Sequence, residues 1–286
     1  MIQATRKVMS GSLPGPWRVA TLLVALSPLF APRTVRAAED PVVRLATLDW
    51  PPYIGQDLPE QGWIARVMRE ALARGGYRVE LVWLPWTRAL QDAALGDVDA
   101  VLPLYDGPGR RETYLLSAPL PAAGVGLWTR RGTQVPWDGA DVMALSALRI
   151  GVVQGYVNHP VIDDPARGLL VDQARNDALN LSKLAEGRVD VAVVDFLVAA
   201  HLVAQDPALS QLTPVVPPFE IRPTYVGFSR QTGRGGSLLQ AFDLGLAAMR
   251  QDGTLARIIA EAGLEDELVV FGPGTGQPAP LPAAAP

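Results

Sequence analysis

The sequence predicts an α/β fold of two lobes, each a mostly parallel sheet flanked by helices. Runs of β-branched and aliphatic residues alternate with stretches of helical periodicity, an order that favours parallel strands joined by crossover helices. The same rhythm occurs twice along the chain. With 286 residues, the chain is long enough for two modest domains.

The first unit alternates three strands with two helices. Its predicted elements are a strand over Val42 to Leu48, a helix over Gln61 to Arg74, a strand over Val79 to Leu84, a helix over Trp86 to Leu95 and a strand over Ala100 to Leu104. Trp63, Val67 and Ala71 recur at helical spacing and predict one apolar face in the first helix. Gly75 and Gly96 follow the two helices, where glycine commonly ends a helix.

The second unit repeats this order. Its predicted elements are a strand over Leu148 to Val153, a helix over Asn176 to Glu186, a strand over Val189 to Val194, a helix over Phe196 to Ala204, a strand over Tyr225 to Phe228 and a helix over Leu238 to Arg250. In folds of this class, ligands bind where the carboxyl ends of strands meet. We therefore expect a ligand between the two lobes.

Residues 1–37 are typical of a secretory signal peptide. Basic residues near the start precede an apolar run over residues 19–31, and the small residues Val35 and Ala37 form a cleavage pattern. An uncleaved membrane anchor is the alternative, but the run is short and contains a proline. The pattern predicts a soluble periplasmic protein. At the other end, residues 272–286 are rich in Gly, Pro and Ala and are predicted to be a disordered tail.

The composition excludes several classes of function. The chain has no cysteine and two histidines, so it has no disulfide or thiolate metal site and little material for a zinc or Ser-His-Asp centre. The net charge of the whole chain is -4, but the first 37 residues contribute five basic and no acidic side chains. The remaining chain has 20 basic and 29 acidic residues, a net charge of -9, and nucleic acid is not an expected partner.

Six sequence blocks carry a resemblance to a known family. They are Asp49 to Tyr53 (DWPPY), Leu84 to Leu90 (LPWTRAL) with Gly96 to Ala100, Arg110 with Ser117 to Pro119, Arg149 to Gly155, Gly187 to Asp195, and Phe242 to Thr254. In this order they resemble the bacterial extracellular solute-binding proteins of family 3, and within them the PW-x-R subgroup. Members are periplasmic partners of polar amino-acid ABC importers, and the resemblance extends from about Val42 to Leu264.

The resemblance implies the type II fold of periplasmic binding proteins, in which the chain crosses twice between lobes. Lobe one is then discontinuous, formed by residues 42–129 and 222–270, and lobe two is formed by residues 132–216. The crossings are expected near Leu127 to Arg131 and near Pro217 to Pro223.

Two pairs of residues in lobe one are candidates for ligand contact. Trp50 and Tyr53 lie in a loop stiffened by prolines, which suits an aromatic ring for stacking on a ligand or covering a cleft. The alternative is that Trp50 fills the interior of the lobe. Trp86 and Arg88 open the second helix, where Arg88 has two possible partners: an anion in the cleft or a lobe-one carboxylate such as Asp49.

Arg110 is the candidate most closely tied to the family pattern. In the resembling proteins, the arginine at this position grips the carboxylate of the ligand, and the planar guanidinium suits this task. The alternative is a solvated arginine in a Gly-Pro-Gly loop, because Gly107 and Gly109 replace the usual Thr and Glu.

Lobe two contributes Tyr156 and Asp195. Residues 154–158 follow a strand and are predicted to begin a helix whose free N–H groups complete the carboxylate site. The family commonly has Gly-Thr where this chain has Gly155 and Tyr156, so either ordinary α-amino acids are disfavoured or Tyr156 stacks on a different ligand. Asp195 matches the acid that holds the amino group of the ligand, and it is also placed to cap the following helix; the two roles are compatible.

These observations predict a periplasmic solute-binding protein that captures a small polar solute, an amino acid or related carboxylate, by hinge closure. The expected partners are this small-molecule ligand and an ABC permease in the inner membrane, and the expected state is a monomer. No cofactor, metal or catalytic residue is expected, because common catalytic and phosphate-binding motifs are missing from the sequence. Two alternatives stay open: a dehydratase-like enzyme on the same fold, and a sensory or accessory binding module.

Overall fold

The computed structural model describes Gly11 and residues 41–269. The predicted signal peptide and C-terminal tail lie outside the described residues. Among those that are described, no helix has the length and apolar character needed to cross a membrane.

The described chain forms two sheets with helices around them. The strands are β1 (Val42–Thr47), β2 (Arg78–Trp83), β3 (Ala100–Tyr105), β4 (Tyr114–Leu116), β5 (Gly124–Arg130), β6 (Arg149–Val153), β7 (Leu170–Ala174), β8 (Val191–Asp195), β9 (Leu212–Pro214), β10 (Glu220–Ile221) and β11 (Thr224–Ser229). The α-helices are α1 (Trp63–Ala73), α2 (Trp86–Leu95), α3 (Arg110–Thr113), α4 (Pro160–Asp163), α5 (Asp177–Ala185), α6 (Phe196–Gln205), α7 (Gly235–Gln251) and α8 (Thr254–Glu261).

The first sheet has the strand order β2-β1-β3-β11-β4. Strand β1 pairs in parallel with β2 and β3, whereas β11 is antiparallel to both of its neighbours. Four strands therefore run in one direction and one runs against them. Helices α1, α2 and α7 pack on this sheet and α8 packs on α1 and α7, and together they form lobe one.

The second sheet has the strand order β10-β5-β8-β6-β7, with β9 also paired to β5. Strand β6 is parallel to β7 and β8, and β5 is antiparallel to β8, β9 and β10. Only β5 runs against the others. With α5 and α6 this sheet forms lobe two, and the predicted two-lobed α/β fold with mostly parallel sheets is confirmed.

The chain changes sheets earlier than the sequence predicts. The expected first crossing, Leu127 to Arg131, falls largely inside β5, whose residues 125–128 pair with residues 192–195 of β8. The crossing therefore precedes Gly124, because these residues complete the sheet of lobe two. The second crossing lies at Arg222 and Pro223, between β10 of lobe two and β11 of lobe one, within the range expected for it.

Close helix packing holds lobe one together behind the cleft. The buried face of α1 includes Trp63, Val67 and Ala71, as its periodicity predicts. A Cβ atom on Gly245 of α7 would lie 2.2 Å from the Ala71 carbonyl oxygen, so glycine permits the two backbones to approach each other. The sheet of lobe one is therefore backed by closely packed helices.

Candidate functional site

The loop after β1 presents two stacked aromatic rings to the cleft. The Trp50 N–H donates to the Ile54 carbonyl at 2.8 Å, which closes a tight turn around the prolines. The ring centroids of Trp50 and Tyr53 are 4.4 Å apart and nearly parallel. Both residues are buried. Trp50 lines the cavity between the lobes and Tyr53 does not, and ligand contact by this pair stays a prediction.

The Tyr53 hydroxyl joins the two lobes. It donates toward the Asp195 carboxylate, at 3.1 Å from Oδ2, and accepts the Ala123 N–H at 3.0 Å. Tyr105 donates to the same Oδ2 atom at 3.1 Å. Tyr105 is the last residue of β3, a position at which parallel strands commonly supply ligand contacts, yet the sequence analysis did not select it.

Asp195 is both the cap of α6 and the acceptor for lobe one. Its Oδ1 atom accepts the N–H groups of Leu197 and Val198 at 2.9 and 3.2 Å, so the predicted capping role is confirmed. Burial raises the pKa of Asp195 to about 6, and its hydrogen bonds with the backbone and the tyrosines oppose that rise. Burial also raises the pKa of Tyr53 and Tyr105 well above 10.0.

Two side chains of lobe one meet the Gly155 carbonyl oxygen. The Trp86 indole N–H donates to it at 3.1 Å and the Arg110 guanidinium at 2.8 Å. Within residues 41–269, no carboxylate pairs with Arg110, and desolvation lowers its pKa. Most of its N–H donors, of which a guanidinium has five, therefore stay available for an anion.

Tyr156 reaches inward to a second buried acid. Its hydroxyl donates to Asp177 Oδ2 at 2.8 Å, and its ring lies edge-on to Trp86 at 6.1 Å. Burial raises the pKa of Asp177 to about 7, although Tyr156 and the Trp50 side chain oppose that rise. Asp177 lies in a helix that the sequence predicts, but its contact with Tyr156 is not apparent from the sequence.

The helix expected to begin at residues 154–158 does not form there. Residues 155–159 form a turn and a loop, and α4 begins at Pro160 with His159 as its cap. Gly155 has a φ of +81° and a Cβ atom there would lie 3.3 Å from Trp86 and Thr87 of lobe one. The site therefore receives a backbone carbonyl from this segment, in place of the expected helix N–H groups.

Arg88 lies away from the cleft. Its side chain is 56% exposed and pairs with Asp92 one turn later on α2. Asp49, its other expected partner, accepts hydrogen bonds from the backbone and side chain of Gln56. The structure thus brings Trp50, Tyr53, Trp86, Arg110, Tyr156 and Asp195 together and leaves Arg88 on the surface.

Arg222, at the second crossing, was not selected from the sequence. It is buried, donates to the Val157 carbonyl at 2.7 Å and pairs with Glu220. Its guanidinium carbon lies 5.3 Å from the centre of the Tyr105 ring. Because Glu220 neutralises it, Arg222 contributes packing and hydrogen bonding at the edge of the cleft more than free charge.

A small cavity lies between the lobes, with about 310 Å³ of empty space, part of it open to solvent. It is lined by Leu48, Trp50, Trp86, Pro103, Leu104, Tyr105, Arg110, Gly155, Tyr156, Val157 and Thr224. An outer groove shares Arg110, Tyr156 and Val157 with it and leads to the surface. The enclosed volume open to the centre of a water molecule is only about 20 Å³, which is room for about one bound water, so the lobes have to separate to admit a solute.

The arrangement suits binding of a small anion. Within the described part of the chain, no group of three or more His, Asp or Glu side chains could hold a metal ion. The charged side chain that lines the cavity is Arg110, and the remaining lining is aromatic or aliphatic apart from Gly155 and Thr224. The Thr224 hydroxyl is buried without a hydrogen-bond partner among the described residues. A carboxylate can accept two parallel hydrogen bonds from such a guanidinium.

Similarity to known proteins agrees with a binding function. The family model for bacterial extracellular solute-binding proteins, family 3, matches residues 43–263. No curated protein matches the chain.

Three solved structures illustrate the fold. A histidine kinase sensor domain with similarity to periplasmic binding proteins has a TM-score of 0.70 and 20% identity over 78% of this chain and 96% of that one. An ancestral arginine-binding protein bound to arginine has a TM-score of 0.67 and 21% identity over 78% and 99%. An amino acid ABC transporter substrate-binding protein from Streptococcus pneumoniae, bound to L-arginine, has a TM-score of 0.65 and 17% identity over 79% and 96%.

Proposed function

We propose that this chain, which belongs to the bacterial extracellular solute-binding proteins of family 3, is a periplasmic binding protein that captures a small polar solute between its lobes. The solute is an amino acid or a related carboxylate. The observation that carries this proposal is Arg110, a half-buried guanidinium that lines the interlobe cavity and has no carboxylate partner among residues 41–269. A charge left unpaired in a desolvated site favours a ligand of opposite charge.

Closure of the lobes provides the binding mechanism. Trp50, Tyr53 and Arg110 belong to lobe one, and this lobe binds the solute first. Tyr156 and Asp195 of lobe two then approach, and the hydrogen bonds to Asp195 and Gly155 hold the closed state. A solute that interacts with both lobes shifts the equilibrium toward closure.

The closed protein would then deliver its solute to an ABC permease. The proposal is supported by structural similarity to the substrate-binding proteins of amino acid ABC transporters. A second candidate, a sensory module, is supported by the similarity to a histidine kinase sensor domain. Both functions use the same capture step and differ only in the partner that recognises the closed form.

Replacement of Arg110 tests the capture step. The wild-type chain and Arg110→Ala are compared by thermal unfolding with amino acids, small carboxylates and polyamines, and hits are measured by calorimetry. A ligand at about 100 times its Kd stabilises the folded protein by about 2.7 kcal/mol. We expect Arg110→Ala to lose measurable binding, since charge-assisted hydrogen bonds contribute about 1.5–3 kcal/mol each.

Arg111→Ala is the matched control, because Arg111 is exposed and pairs with Asp106 beside the cleft. It should bind the same solute as the wild type does. Affinity of Arg110→Ala within about threefold of the wild type, a difference of less than 1 kcal/mol, would contradict the proposal.

A further inference from the structure

On the basis of the proposed binding function, we propose that the solute is a small carboxylate with a flat apolar body and no ammonium group. A zwitterionic α-amino acid needs an acceptor for its ammonium group as well as a donor for its carboxylate. The cleft supplies the donor, Arg110, but of its two buried carboxyl groups Asp195 has its acceptor sites occupied and Asp177 lies behind Tyr156. This inference narrows the class of solute that the same site takes.

The acceptor capacity of Asp195 is filled. Two hydroxyls and two backbone N–H groups converge on its two oxygens, from Tyr53, Tyr105, Leu197 and Val198, at 2.9–3.2 Å. An ionised carboxylate has about four lone-pair sites. A ligand ammonium would therefore have to displace a tyrosine hydroxyl, which would then lose its buried acceptor.

Asp177 is screened from the cavity by Tyr156. The Tyr156 hydroxyl occupies Oδ2, and the ring of Tyr156 lines the cavity while Asp177 does not. The other oxygen of Asp177, Oδ1, is buried without a hydrogen-bond partner among the described residues, but Asp177 does not line the cavity. Burial also holds the pKa of this carboxyl near 7, which weakens its attraction for a cation at neutral pH.

The remaining cavity wall favours a flat apolar body. Tyr156 stands perpendicular to Trp86, and Tyr105 is steeply inclined to Trp50 at 80°. Leu48, Leu104 and Val157 complete an apolar lining. Faces and edges of aromatic rings arranged in this way contact planar molecules well.

An ammonium group in this cavity would be desolvated without an open carboxylate partner. Desolvation of an ion in a protein interior is costly, and attraction to an aromatic face recovers only part of that cost. The carboxylate end has no such deficit, because Arg110 pairs with it. The balance favours the deaminated acid over its α-amino counterpart.

Matched ligand pairs test this preference on the purified chain. The probes are 3-phenylpropionate against L-phenylalanine, phenylacetate against L-phenylglycine, and 4-methylpentanoate against L-leucine, measured by calorimetry at pH 7. We expect the deaminated acid of at least one aromatic pair to bind at least about tenfold more tightly than its amino partner, a difference of about 1.4 kcal/mol. Arg110→Ala should abolish that binding.

Tyr105→Phe provides a second test with a predicted gain. Removal of this hydroxyl leaves one acceptor site of Asp195 open on the cavity side, so the preference for the deaminated acid should fall by about fivefold or more. Tyr77→Phe is the control, because Tyr77 lies between α1 and β2, away from the cavity lining. It should leave the preference unchanged.

The outcomes separate this inference from the proposed function. Equal or tighter binding of the amino partners overturns the inference and leaves solute binding intact. Failure of all six probes to bind, while arginine or a polyamine binds, also overturns only the inference. Failure of every solute of the wider panel overturns both. An unchanged preference in Tyr105→Phe overturns the role given to Asp195.

Discussion

Lobe one meets the cleft with hydrogen-bond donors, whereas lobe two meets it with acceptors. The donors are the hydroxyls of Tyr53 and Tyr105, the Trp86 indole and the Arg110 guanidinium, with Arg222 at the second crossing. The acceptors are the Asp195 carboxylate and the carbonyl oxygens of Gly155 and Val157. Within residues 41–269, all hydrogen bonds across the cleft run in this direction.

The difference between donors in lobe one and acceptors in lobe two determines which hydrogen bonds between the lobes a ligand can replace. A bound carboxylate is an acceptor, like the groups of lobe two, so it pairs with the donors of lobe one and can replace the Gly155 carbonyl at Arg110. An ammonium group would have to compete with donors already bound to Asp195. The donors of lobe one and the acceptors of lobe two are thus complementary, and Arg110 is the donor at the cavity that has N–H groups to spare.

The largest expected effect comes from removing the main acceptor. Asp195→Ala should lower the free energy of unfolding by about 3 kcal/mol, since it leaves two buried hydroxyls and the first N–H groups of α6 without their acceptor. Urea denaturation measures the change. Asp206→Ala, at an exposed cap, is the control and should lower the free energy of unfolding by about 1 kcal/mol or less. Equal losses in both variants would show that the hydrogen bonds between the lobes at Asp195 do not stabilise the protein.

The two buried carboxyl groups of lobe two, Asp177 and Asp195, should also make the free energy of unfolding depend on pH. The pKa values of Asp177 and Asp195 are raised from 3.8 to about 7 and about 6, so the folded state holds more protons than the unfolded state between pH 4 and 7. The free energy of unfolding therefore decreases as the pH rises through this range. Relative to Asp177→Asn, the wild type should lose about 2 kcal/mol between pH 5 and 7.

Urea titrations at several pH values measure this difference, and subtracting the variant cancels the contribution of the two histidines. Asp206→Asn serves as the control, because its carboxyl is exposed. Parallel pH profiles for the wild type and Asp177→Asn would mean that Asp177 is not held protonated in the folded state.

A smaller loss of stability is expected from adding a side chain at Gly155, where the two lobes are in contact. Gly155→Ala should cost about 1 kcal/mol from the positive φ, and its methyl group would approach Trp86 and Thr87 at 3.3 Å. Gly168→Ala has a similar φ of +69° but open space around it. Thermal unfolding should show a larger loss for Gly155→Ala; equal losses would argue against a close approach of the lobes at Gly155.

The smallest effect is expected from Arg88. Arg88→Ala removes the ion pair between the exposed Arg88 and the buried Asp92 on one helix, but it removes no contact with the cavity lining. Calorimetry with the solute found in the panel should give an unchanged Kd. A large loss of affinity would mean that Arg88 contributes to binding of the solute.

The sequence was most informative where function and local structure share a segment. Trp50, Tyr53 and Trp86 lie beside prolines at element ends, and Arg110 and Asp195 lie in blocks that resemble the family pattern. Tyr156 directly follows such a block and departs from the pattern. All six lie where the two lobes meet. Their ligand-binding roles stay predictions. Arg88 pairs with a lobe-one carboxylate, which is one of its two expected kinds of partner. That carboxylate is Asp92, four residues later on α2, and not Asp49.

Contacts between distant segments could not be predicted in the same way. Asp177 meets Tyr156 across 21 residues, and Tyr105 meets Asp195 across 90. The membership of β5 in lobe two depends on pairing with β8, more than 60 residues away in sequence. Burial of these polar groups follows from the register of whole sheets, which local periodicity does not encode.

The reversed strands also determine the order in which the lobes can be completed as the chain leaves the ribosome. Residues 124–221 contain all six strands of the second sheet, but the first sheet needs β11 between β3 and β4. The half of the protein that is synthesised first is therefore the half that is finished last. Until residue 229 has emerged, β3 keeps an open edge, the kind of exposed strand that promotes aggregation and recruits chaperones.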